Sequence, residues 1–142
     1  MDDVQRMLIE RACERLQVEY CHLVDHGTAA RIADLFTDDG VWAAGKRAFE
    51  GVDAIRDNFR KRQDIRERRS RHVCSNALIE VHDADNATGT VYLILYRHDD
   101  PEDARTRPAS LPEMVGAYRD TFRRTDAGWR FSRRDVVIDF AP

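Results

Sequence analysis

The chain has 142 residues, 35% of them charged, with a net charge of -3. A chain of this length buries a core without disulfides or metal, its acidic balance offers no basic footprint for nucleic acid, and no apolar run reaches the ~18 residues of a membrane span. Cys13, Cys21 and Cys74 are odd in number and lack CxxC spacing, and the N-terminus opens on Asp2 and Asp3. These features read as reduced thiols and no secretory leader, so the expectation is one soluble cytoplasmic domain over residues 1–142.

From Val4 to His26 the apolar residues Ile9, Cys13, Leu16, Tyr20 and Leu23 recur at steps of four and three, which predicts a long amphipathic helix. Asp2 or Asp3 can cap its start, Gly27 can end it, and Thr28 can cap a short second helix through Phe36. A turn is expected at Thr37 to Gly40. A small hairpin then runs from Val41 to Ala44 and from Arg47 to Phe49, and a third helix follows Gly51 with Val52, Ile55 and Phe59 on one side.

The second half is rich in β-branched and aromatic residues. Arg71 to His82, Ala87 to Arg97, Glu113 to Arg124 and Trp129 to Phe140 read as two antiparallel hairpins. Asp99 to Pro112 carries three prolines and reads as a long loop, functional or mobile. Val91 to Tyr96 is apolar in both parities, which predicts a strand covered on both faces, by helices on one side and a partner subunit on the other. Helices followed by long strands give an α+β class, with a curved sheet wrapped around N-terminal helices and a pocket at the open end of the cone.

Asp25 and His72 are the residues on which chemistry turns. An imidazole that moves protons needs a partner to fix its tautomer, and a carboxylate on a rigid helix serves. The plain alternative is a helix-capping Asp25 and a core histidine. Tyr20 lies about 140° around the helix from Asp25, so core packing is its default and pocket lining its second role. Gly116, Tyr118, Asp120 and Phe122 share one strand face, where Gly116 would make room for a ligand and Tyr118 would bind an oxygen or form an aromatic wall of the core. Asn76, in phase with His72, would orient a substrate oxygen or be satisfied by backbone. His22 and His26 have metal-ligand spacing but no third ligand, so no metal is expected. The basic stretch from Arg56 to Arg71 reads as a solvated helix end and loop, with steering of an anionic ligand as the alternative.

The order of these segments resembles the NTF2-like superfamily, in its SnoaL-like and scytalone-dehydratase-like branch. The resemblance is carried by Tyr20 to Gly27, Leu35 to Trp42, the helix after Gly51, Arg71 to Asn76, Gly116 to Asp120, and Gly128 to Phe131. It implies a cone-shaped α+β barrel with an antiparallel or mixed sheet, a buried pocket, no cofactor, and homo-oligomers, dimeric or trimeric, formed through the outer sheet face. It also implies that Asp25 and His72 occupy the family's proton-transfer positions. Arg97 stands where the dehydratase pattern has a second histidine, with His98 one residue out of phase, and the pattern's serine and asparagine fall on Gly116 and Tyr118.

The resulting expectation is a cofactor-independent lyase or isomerase, of dehydratase type, acting on a small apolar cyclic or aromatic carbonyl compound. A non-catalytic ligand-binding module, a small β-subunit of a ring-hydroxylating dioxygenase and a polyketide cyclase are the alternatives. The expected partner is a small-molecule substrate, with no nucleic acid and no membrane.

Overall fold

Helix α1 (Asp3–Asp25) forms where the periodicity places it, in a computed structural model that describes all 142 residues. Its start is held by a capping box: the Asp2 carboxylate accepts from the Gln5 backbone N–H at 2.8 Å, and the Gln5 side chain accepts from the Asp2 N–H at 3.0 Å. Ile9, Cys13, Leu16, Tyr20 and Val24 are buried on its inner stripe, joined by Gln17 and Cys21. Gly27, at φ +85°, then turns the chain through a region that favours glycine. The next element is a 3-10 helix (Ala29–Leu35), which the Thr28 side chain does not cap. Helix α2 (Val52–Gln63) buries Ile55 and Phe59. Arg56 fastens it to the 3-10 helix by donating to Asp34 Oδ1 at 2.7 Å and to the Ala30 carbonyl at 3.2 Å.

Six strands follow the order β2-β1-β6-β5-β4-β3 in one mixed sheet. They are β1 (Phe36–Ala44), β2 (Arg47–Glu50), β3 (Arg68–Val81), β4 (Asn86–Asp99), β5 (Met114–Thr125) and β6 (Gly128–Phe140). Only the β1–β6 pair is parallel. The two expected hairpins are present and joined through β4 and β5, but the sheet is open, with β2 and β3 as its edges rather than a closed barrel. Helix α1 packs against β3 and β6, and a core of 19 residues lies between helices and sheet.

Two local expectations are corrected, and one strand is described within a single chain. The turn at Thr37 to Gly40 lies inside β1, where the register with β6 slips between Phe36 and Val41; the turn-forming residues mark this irregularity rather than a chain reversal. Strand β3 starts at Arg68, three residues early, because its first residues pair with the end of β4 and Arg68 grips Asp99 through two hydrogen bonds of 2.8 and 3.0 Å. Along β4, Val91, Leu93 and Leu95 are buried while Tyr92 and Tyr96 are exposed, so within one chain that strand is covered on one face only.

Gly116 also has a different reason for being glycine. An added Cβ there would lie 2.0 Å from the Val137 carbonyl oxygen, where β5 and β6 change register. It permits close backbone approach and opens no space for a ligand.

Candidate functional site

The last residue of α1 meets the third alternate inward position of β3. Asp25 Oδ1 accepts from the Ser70 hydroxyl at 2.7 Å and lies 2.7 Å from His72 Nδ1; Oδ2 accepts from the His72 backbone N–H at 2.9 Å. The two side chains are 6% and 11% exposed, so the contact is shielded from bulk water. A carboxylate accepts only, and the ring nitrogen facing it therefore carries the proton. In the neutral ring the lone pair is then on Nε2, which has no protein partner, and His72 lines the wall of a cavity.

Burial alone would raise the Asp25 pKa. The hydrogen bond from the His72 ring, the attraction of that ring when it is protonated, the His72 backbone N–H and the Ser70 hydroxyl outweigh burial and hold the carboxyl below its ordinary value. Ser70 in turn accepts from Arg62 Nη2 at 3.0 Å. The result is a directed chain of donors, Arg62 to Ser70 to Asp25, with His72 donating from the other side.

The cavity has a volume of about 550 Å³ and a mostly apolar wall, within the range of small-molecule sites. Tyr20, Trp42, Phe59, Leu93, Leu95, Met114 and Tyr118 contribute to it beside His72. Tyr20 therefore lines the same space as His72 despite its different helical angle: its ring centroid is 6.5 Å from the imidazole, and its hydroxyl accepts from Trp42 Nε1 at 3.0 Å. Burial pushes the Tyr20 phenol up to about 12, and burial with the neighbouring Tyr20 pushes Tyr118 well above the usual tyrosine range. Both phenols are thus held as neutral groups.

Arg97 lines the cavity and donates to Glu113 Oε1 at 3.1 Å. Asn76 does not join the site. It sits at φ +57° where the β3–β4 register gains a residue between Ser75 and Leu78, and its side chain is exposed. One inserted residue ends the alternation that would have aligned it with His72. None of residues 99–112 lines the cavity, while His22 and His26 stack on each other at 5.7 Å with no third ligand gathered.

Sequence reasoning missed the group beneath the tyrosines. Arg134 is fully buried and grips Asp120 through Nε at 2.8 Å and Nη2 at 3.2 Å, while Gln17 donates to Asp120 at 3.0 Å. Its guanidinium lies 3.6 Å from the Tyr118 ring centroid and 4.3 Å from that of Tyr20. Arg134 Nη1 has no hydrogen-bond partner. Ser70 was also missed, although its alternation with His72 on β3 signals a shared face. Cys21 and Cys74, both free, approach to 3.4 Å between sulfurs.

Residues 5–135 match the SnoaL-like domain family. The chain belongs to that family. No curated protein matches the sequence. Among solved structures, an NTF2-like protein with a cystatin-like fold from Novosphingobium aromaticivorans is 25% identical, with 95% of this chain and 84% of that one covered and a TM-score of 0.80. A provisionally named scytalone dehydratase from the same organism is 22% identical over 98% of this chain and 89% of its own, with a TM-score of 0.82. The LinA-type3 hexachlorocyclohexane dehydrochlorinase of Novosphingobium barchaimii is 20% identical over 98% and 92%, with a TM-score of 0.79. This SnoaL-like chain therefore shares its fold with proteins named for elimination chemistry.

A carboxyl whose folded pKa lies below its unfolded value contributes stability that is complete above the unfolded value and vanishes as pH falls through the folded one. Denaturant unfolding should accordingly show stability dropping below about pH 4. Asp25→Asn should cost about 2 kcal/mol near neutrality and flatten that acid limb. Asp99, whose pKa is lowered chiefly by its hydrogen bond from Arg68, retains part of it.

Proposed function

We propose that this SnoaL-like protein is a cofactor-independent lyase or isomerase in which His72 transfers a proton on a small apolar cyclic or aromatic carbonyl compound. The single observation that carries the reading is the Asp25–His72 contact at 2.7 Å on the cavity wall. Asp25 fixes the ring so that Nε2 faces the substrate as a base and stabilises the imidazolium once the proton is taken. In an elimination, the imidazolium returns that proton to a departing hydroxyl. Tyr118, held neutral, would donate to a carbonyl oxygen, and Arg134 beneath it would favour the negative charge that develops there.

The aromatic walls favour a substrate with a ring, which can pack edge-on against Tyr20, Trp42 and Phe59. The names of the dehydratase and the dehydrochlorinase among the structural neighbours support a reaction that removes a proton and a leaving group.

The test uses α-proton exchange of 2-tetralone in D2O, followed by NMR. Wild type should accelerate exchange, and His72→Ala should reduce the enzymatic rate by about 10²- to 10⁴-fold while the circular dichroism spectrum stays unchanged. Full exchange activity in His72→Ala would remove the reading.

The outer sheet face is part of the same proposal, as the surface on which copies of the chain meet. Val73, Tyr92 and Tyr96 are exposed there on the neighbouring strands β3 and β4. Contiguous apolar surface of this kind is unusual on a monomer. Sedimentation velocity should give a dimer or trimer for wild type and a monomer for Val73→Lys/Tyr92→Lys; a monomeric wild type at micromolar concentration contradicts it.

A further inference from the structure

The cavity beside His72 is lined by Arg47, Lys61, Arg62, Arg68 and Arg97 and by no carboxylate. This concentration of cations stands out in a chain whose net charge is -3. Two of the five are neutralised from outside the wall, Arg68 by Asp99 and Arg97 by Glu113.

Arg62 differs from those two. Its side-chain hydrogen bond goes to a neutral group, Ser70 Oγ, at 3.0 Å. Burial, followed by the nearby Arg68 charge, lowers its pKa, with the pull of Asp25 too weak to compensate. A guanidinium in that condition is under-compensated, and a bound anion would relieve it. The planar fork also suits two parallel hydrogen bonds to a carboxylate, which an ammonium group cannot form. Arg62 lines the cavity, and its one side-chain hydrogen bond, from Nη2 to Ser70, leaves Nε and Nη1 without a protein partner.

The apolar and cationic parts of the wall are therefore two halves of one recognition surface. We infer that the substrate of this cavity carries a carboxylate on an apolar ring body, and that Arg62 binds the carboxylate while the ring lies against Trp42, Phe59 and Leu95. This rests on the proton-transfer reading for what happens to the substrate and adds the charge class of the molecule. Arg47 and Lys61, on the same wall, draw the anion in from solvent.

Equilibrium dialysis of the full chain with 2-naphthoate and with its neutral counterpart 2-acetonaphthone tests the inference. At low ionic strength naphthoate should bind about tenfold more tightly, and its advantage should shrink in about 0.5 M salt. Arg62→Gln should reduce the naphthoate-to-acetonaphthone ratio about fivefold or more, and Arg62→Lys should restore part of it. Equal affinities for the two probes in wild type would overturn the inference, as would a ratio unchanged by Arg62→Gln. Dialysis measures no turnover, so failure here and failure of proton transfer are separate results.

Discussion

One carboxylate joins the two halves of the molecule at the place where chemistry is proposed. Asp25 ends α1, and its two oxygens take hydrogen bonds from the Ser70 hydroxyl, the His72 ring and the His72 backbone. A nearly buried carboxylate is costly unless its lone pairs are occupied, and here the bonds that meet that need also fix an imidazole. The end of the helix, the register of β3 and the orientation of the ring are consequently one constraint. A helix one residue shorter, or a strand shifted by one residue, would turn either group away.

The floor of the cavity obeys a second constraint of the same type. Arg134 and Asp120 are a fully buried, bidentate ion pair with Gln17 as a third member, roofed by the rings of Tyr118 and Tyr20. Such pairs contribute modestly to net stability, because desolvation offsets most of the attraction, but loss of one partner leaves a buried charge exposed to nothing. The unpaired Nη1 is the one polar group there left without an internal partner. Its position beneath the tyrosines places positive charge under that side of the cavity.

Much of this was legible in the sequence because periodicity and β-branched composition both carry burial. The stripe Ile9, Cys13, Leu16 and Tyr20 located α1, β-branched and aromatic enrichment between turn signals located the four long strands, and the meeting of Asp25 with His72 followed from a family resemblance spread over the chain. What stayed hidden traces to inserted residues. On β6, Phe131 pairs with Phe122 while Arg133 pairs with Thr121, so Ser132 is an extra residue. Alternation from Phe131 would put Arg133 inside and Arg134 outside; the bulge reverses them. The same effect on β3 removes Asn76 from the His72 face. Gly116 was legible as a special position, but its cause, contact with the Val137 carbonyl, depends on a partner strand that spacing does not reveal.

Proton transfer in this cavity depends on the state of one ring. Nitrogen-15 NMR of the histidine side chains resolves which ring nitrogen of neutral His72 carries the proton. The prediction is a proton on Nδ1, held toward Asp25, with Nε2 unprotonated, and a shift toward a tautomer mixture in Asp25→Asn. A proton on Nε2 in the wild-type protein, or an Asp25→Asn spectrum identical to wild type, would contradict it.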